Sequence, residues 1–126
     1  MSAVILKAKE VVRGAPVIEC YSFNFADGTE TLPLDLRLFS RIKMDIRRND
    51  NSFTPAIYSL DSAANDDSIT ISGDDHNVLT ISHRSAQTLL FKEKGLYYRD
   101  LFFYNGTTGF PILIQPIKVI FNKTEQ

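Results

Sequence analysis

The sequence predicts an all-β chain, a single antiparallel β-sandwich of about seven or more strands with one short helical turn near residues 84–92. Three observations carry that prediction. Apolar side chains recur at every second position in several short stretches, the period of a strand with one face in a core. Gly, Pro, Asn and Asp bound those stretches at intervals of about 8 to 15 residues, which is sandwich spacing. No stretch keeps a helical period long enough to make a packed helix.

Taken in order, "PVIECYSFNFA" over 16–26 alternates Ile18, Cys20 (or Tyr21), Phe23 and Phe25 with more polar neighbours, a half-buried strand ended by the turn pair Asp27-Gly28. Ile42, Met44 and Ile46 then alternate with Arg41, Lys43, Asp45 and Arg47, so a strand here shows an apolar row to a core and a charged row to water. "NDNS" over Asn49–Ser52 supplies a turn, and "FTPAIYSL" follows as a strand that Pro55 pushes toward a sheet edge, because proline has no N–H for a ladder. "SITIS", "GDDHN" and "VLTIS" read as strand, five-residue turn and strand, a hairpin rich in Ile, Val and Thr. In "RSAQTLLFKEKG", Ser85 is placed to cap one helical turn, with Leu89 and Leu90 facing inward and Gly95 ending it. "LYYRDLFFYNGTTGFPILIQPIKVIF" closes the chain as a hairpin turning at "NGTTG", with Pro111 and Pro116 suited to edges or bulges. No linker divides the chain, so residues 1–126 are expected to form one domain, with 1–15 a leading strand or arm.

Composition narrows the function classes. A length of 126 residues supports one substantial core, and 44% apolar with 23% charged residues is ordinary for a globular chain. A net charge of −1 gives no field of one sign to recruit nucleic acid or an acidic membrane, so neither is expected as a partner. Cys20 is the lone cysteine, so no intrachain disulfide can form. The apolar run before Lys7 is too short for a signal-peptide core, and no stretch approaches the roughly 20 residues that span a bilayer; a soluble, unprocessed chain is expected.

Sequence signals for chemistry are weak. A zinc site needs three or four ligands, and the chain offers Cys20, His76 and His83, the two histidines separated by a turn and a strand. A nucleophilic Cys20 needs a base within reach, and buried cysteine acting as a small apolar residue is the commoner reading. Asp61, Asp66, Asp67, Asp74 and Asp75 invite a calcium test, but their order lacks the glycine and closing glutamate of an EF-hand loop. Arg41, Lys43, Arg47 and Arg48 could line a basic stripe, with Tyr97, Tyr98, Phe102, Phe103 and Tyr104 for stacking on a nucleic acid strand. Asp45 breaks that stripe, and the aromatics alternate between faces as core and cross-strand pairs do. No catalytic, cofactor-binding or metal residue is therefore expected, and no cofactor.

The order of the motifs resembles that of the small immunoglobulin-like β-sandwich proteins encoded among phage tail and baseplate genes, many in prophages. The matching residues are Phe25, Asp27, Gly28 and Thr29 at the first turn, then Asp35 and Leu36, then Ile42, Met44, Ile46 and Arg47. "AIYSLDSA", the "SITISGDDHNVLTIS" hairpin, the "SAQTLLF" turn, "GLYYRDLFFYNG" and the closing "FPILIQPIKV" follow in the family's order, with Gln115 where glycine is common. The resemblance covers residues 20 to 120. It implies an immunoglobulin-like sandwich serving as a non-enzymatic structural part of a tail or baseplate, with identical copies or other tail proteins as partners. It implies a location in the bacterial cytoplasm during assembly and in the virion tail afterwards. A carbohydrate- or ligand-binding module using exposed aromatics and acidic loops, with or without calcium, is the alternative expectation.

Overall fold

The computed structural model describes residues 7–49 and 54–122. Past Asn49, the predicted turn over Asn49–Ser52 lies outside the described residues, as do residues 1–6 of the leading arm. Among the described residues eleven strands and one α-helical turn follow in the order β1 (Lys9–Val12), β2 (Val17–Ser22), β3 (Asn24–Asp27), β4 (Glu30–Pro33), β5 (Arg41–Arg47), β6 (Tyr58–Asp61), β7 (Ile69–Ser72), β8 (Val78–His83), α1 (Ser85–Thr88), β9 (Gly95–Asn105), β10 (Thr108–Ile112) and β11 (Ile117–Ile120), with 3-10 turns at Leu36–Leu38 and Ser62–Ala64. The chain is mostly β, and among the described residues the strands close no barrel.

The largest sheet has the order β1-β11-β9-β5-β6, with β10 also on β9. The eleven-residue β9 is its spine. One edge of β9 takes β5 across Tyr98–Tyr104, while the other takes β11 at Gly95–Tyr97 and β10 at Leu101–Asn105. Pro116 sits in the break between β10 and β11, and Pro111 lies in β10, which pairs only with β9. A three-stranded sheet has the order β2-β8-β7, and β3 with β4 forms a separate hairpin.

The sheets are not purely antiparallel as expected: β1 runs parallel to β11, Lys9 beside Ile117 through Val12 beside Ile120. Almost the whole chain lies between those strands and supplies the crossover that parallel pairing needs.

Inner faces of both sheets feed one core. Ile42, Met44 and Ile46 of β5, Leu79 and Ile81 of β8, and Tyr97, Leu101 and Phe103 of β9 are buried together with Leu36 and Phe91. β5 alternates as its sequence predicts, and β7 and β8 make the predicted hairpin around a five-residue loop. Two hairpins turn on Gly-Thr, with Asp27 paired to Glu30 and Asn105 to Thr108. Gly28 and Gly106 hold φ of 64° and 63°, as the first central residue of such a turn requires.

Two readings are corrected. In β2 the inward row is Val17, Glu19 and Tyr21, while Ile18 is 68% exposed and Cys20 is exposed. The face is opposite to the one that Ile18 and Cys20 suggest, because the carboxylate of Glu19 has partners inside. The helical turn does form, but Arg84 is its N-cap, its N–H donating to Gln87 Oε1 at 2.9 Å, and Ser85 is the first helical residue. Thr88 and Phe91 are buried while Leu89 and Leu90 stand half out, and Gly95 opens β9 instead of closing the turn. Thr88 is held inside by its hydroxyl, which donates to Ala15 O at 2.9 Å and accepts from Gly14 N–H at 3.0 Å.

Candidate functional site

The odd-numbered row of β9 reads Tyr97, Arg99, Leu101, Phe103, an apolar face interrupted by one cation. The inward row of β2 reads Val17, Glu19, Tyr21, interrupted by one anion. The fold brings the two charges together between the sheets. Arg99 Nη1 donates to Glu19 Oε1 at 3.0 Å and Oε2 at 2.8 Å, with both side chains almost wholly buried. His83 of β8 sets Nε2 at 2.7 Å from Glu19 Oε2, and Tyr58 of β6 sets its hydroxyl at 2.8 Å from His83 Nδ1. Tyr21 donates to Glu19 Oε1 at 2.6 Å. Arg99 Nε donates to Gln115 O at 2.9 Å, in the gap that β10 and β11 leave along β9. Arg99 Nη2 is buried with no hydrogen-bond partner among the described residues.

A carboxylate only accepts, so Nε2 of His83 carries the proton directed at Glu19, and in that tautomer Tyr58 O–H donates to Nδ1. Hydroxyl, imidazole and carboxylate in line is the arrangement that activates a nucleophile in hydrolytic sites. Here the line of groups is shut inside the core, with Tyr58 and His83 both buried. Burial pushes the Tyr58 hydroxyl well above its ordinary range, with the Glu19 charge adding to the rise and Arg99 opposing it, so the hydroxyl keeps its proton. Burial also raises Glu19, but the His83 hydrogen bond and the Arg99 charge outweigh it and bring the carboxyl down to about 2. The cluster is a charge-neutralised tie: Glu19 and His83 belong to the three-stranded sheet, Arg99 and Tyr58 to the larger one.

The sequence-level candidates separate. Cys20 is on the exposed face of β2 with Sγ 3.6 Å from Thr80 Oγ1, while His83 is on the buried face of the same sheet, so the two cannot act as a pair. His76 sits in the β7–β8 turn with φ of 55°. Among the described residues no three His, Cys, Asp or Glu side chains gather as a metal group. Asp61 pairs with Arg41 and accepts from Ala63 N–H at 2.9 Å, and Asp66 accepts from Ser68 N–H at 3.1 Å. Asp67 takes φ of 62° in the loop before β7, and Asp74 and Asp75 are exposed in the next turn.

The basic stripe is a ladder of pairs. Arg47 reaches Asp45 at 3.1 Å and Asp100 at 3.0 Å, so it neutralises two aspartates that lie directly opposite each other in the β5–β9 register. Lys43 also approaches Asp45, at 3.8 Å. Arg48 stacks over the Tyr97 ring at 4.7 Å and donates to Leu96 O at 2.8 Å. Tyr97 and Phe103 face the core, while Tyr98, Phe102 and Tyr104 share the outer face.

Three clefts lie on the surface of the described residues, the widest, about 700 Å³, beside Lys9, Glu10, Gln115 and Lys118. One of about 450 Å³ is lined by Arg48, Ile57, Leu90, Lys92, Glu93 and Tyr97, where Arg48 is already paired with Glu93 at 3.3 Å. A smaller one, about 210 Å³, lies beside Tyr21, Ser22, Phe23, Leu101, Leu113 and Ile114. Among the described residues no helix is long and apolar enough to cross a membrane. No protein-family model matches the chain, and no curated protein shows significant similarity to it.

Proposed function

We propose that the chain is a non-enzymatic structural component of a phage or prophage tail or baseplate, an immunoglobulin-like β-sandwich acting as a rigid adaptor through protein–protein contacts. The observation that carries the reading is the pairing of free sheet edges with large apolar side chains held out in solvent: Ile18 is 68%, Leu38 68% and Leu113 72% exposed. The most concentrated chemistry on the chain supports it from the other side, because Glu19, His83 and Arg99 are spent inside on joining the sheets.

The resembling motifs also fall on structural duties. Asp35 caps a 3-10 turn by accepting from Arg37 N–H at 2.9 Å, and Leu36 is fully buried. Ile42, Met44 and Ile46 fill the core, and Gly95 opens β9 at φ of 117°.

Light scattering across a concentration series, with and without calcium, tests the reading. A defined oligomer independent of calcium is expected. A monomer at every concentration that binds no other protein would overturn it, and a mass that changes with calcium would favour a ligand-binding module.

A further inference from the structure

We propose that the free edge of β2 is a self-association surface, at which a second copy of this chain adds antiparallel with Cys20 opposite Cys20 of the partner subunit. The inference deepens the assembly reading, on which it rests, by naming the edge and the partner.

Backbone geometry comes first. Val17 is opposite His83 and Ser22 opposite Val78, and one residue beyond this register Phe23 N–H donates to Asn77 O at 2.9 Å. Lateral direction alternates along a strand, so Val17, Glu19 and Tyr21 spend their N–H and C=O on β8 while those of Ile18, Cys20 and Ser22 point away from it. β8 gives the same parity independently, since Ser82 N–H donates to Ser68 O on the β7 side at 2.8 Å. Among the described residues β2 has no second neighbour in its sheet, so these three residues present a row of donors and acceptors that no described strand uses.

The same residues carry the outward side chains, and none is charged. Beside them Val78, Thr80, Ser82, Thr70 and Ser72 continue a neutral face. This selects the partner. Across a two-fold axis an edge meets itself, so any charge near the axis faces its own copy and repels it. A neutral edge is free of that cost, and the one charge within β2, Glu19, is turned inward onto Arg99.

The other edges lack this property. β1 carries Lys9 and Glu10, and the four-residue β6 ends in Asp61. β7 lies between Asp66-Asp67 and Asp74-Asp75, which a two-fold would bring end to end. β10 contains Pro111. β2 is the longest of these strands.

The register follows. With Cys20 on the axis, Ile18 falls opposite Ser22 of the partner subunit, outward side chains stay on one face, and every outward-pointing residue joins a hydrogen-bonded pair. That gives about six backbone hydrogen bonds and joins the two small sheets into one.

The test is a charge swap at Cys20, whose side-chain contact is Thr80 Oγ1 at 3.6 Å, so the fold should survive. Cys20→Lys and Cys20→Glu should each weaken self-association at least about tenfold, because like charges then meet at the axis. An equimolar mixture of the two should restore the wild-type mass. Amide exchange by NMR gives a second readout: the N–H groups of Ile18, Cys20 and Ser22 should slow with rising concentration, while those of Val17, Glu19 and Tyr21 are protected throughout.

If both variants keep the wild-type oligomer, the inference is overturned while the assembly reading stands with its interface elsewhere. A wild-type chain that stays monomeric overturns the inference too, and the assembly reading then depends on whether a different protein is bound.

Discussion

Replacing Glu19 with Gln preserves size and shape but removes the charge that balances a guanidinium whose side chain is 0% exposed. Three side chains converge on the carboxylate, at 2.6 Å from Tyr21, 2.7 Å from His83 and 2.8 Å from Arg99. A glutamine can satisfy part of that set through its carbonyl, but its amide group turns a donor toward donors. Breaking a buried pair by removing one partner costs about 3–5 kcal/mol, chiefly for the charge left behind. The depressed carboxyl of Glu19, down to about 2, has the same sign: the folded state favours its ionised form. Against a total stability of about 5–15 kcal/mol, that loss is large.

Urea unfolding followed by far-UV circular dichroism at neutral pH should show it, with a fall of about 10–20 °C in Tm as the thermal counterpart. The pH dependence fixes the cause. A carboxyl whose folded-state value is depressed contributes stability that is fully present above its unfolded value and is lost as pH falls through the folded one. The gap between wild type and Glu19→Gln should therefore be full above pH 4.5 and narrow as pH drops toward 2. Adding Arg99→Met should recover part of the loss, because it removes the stranded cation. A Glu19→Gln protein within about 1 kcal/mol of wild type at neutral pH, or a gap indifferent to pH, would refute the electrostatic tie.

Two further outcomes are expected from local geometry. Thr88→Val keeps the shape of a fully buried side chain but strands Gly14 N–H and Ala15 O, so it should cost about 1–3 kcal/mol in urea unfolding; a neutral result would show that the Gly14–Ala15 turn stands without α1. Gly106→Ala meets no atom within 4 Å, so its expected loss of about 1 kcal/mol comes from backbone conformation at φ of 63° alone, and replacing the same residue with Asn, which tolerates that region, should cost less.

The readable parts of the fold were those where composition and period agreed. β5 alternates apolar with charged residues over seven positions, and the β7–β8 hairpin has branched strands around a polar loop, so each has one consistent reading. β2 misleads because two rows compete: Ile18 and Cys20 look apolar, yet the other row pairs inward with a carboxylate. A glutamate is assigned to solvent unless its cation is known to be nearby, and Arg99 is 80 residues away in sequence. A signal was present in Tyr97-x-Arg99-x-Leu101-x-Phe103, where a cation on an apolar row requires a buried anion somewhere else. Leu89 and Leu90 misled similarly, because a threonine with two backbone partners outcompetes leucine for the inside of a single helical turn. Parallel pairing of β1 has no local signature, since it depends on where the two ends of the chain meet.

The distribution of charge links core to surface. The outer face of the large sheet is a ladder of ion pairs, in which Arg47 spans two opposed aspartates and Arg41 meets Asp61. Such a face is balanced in charge but strongly hydrated, and exposed pairs in water add little to stability, so its value lies in the desolvation cost that keeps that side from self-adhesion. The outer face of the small sheet carries no such guard beside its β2 edge. Between them, Glu19, His83, Arg99 and Tyr58 fix one sheet against the other through directional bonds, which resist sliding where apolar packing alone permits it. A strand added at β2 would therefore transmit its orientation to the charged sheet, and the inward turn of Glu19 would serve both ends at once: it ties the sheets and removes the only charge that would oppose pairing along that strand.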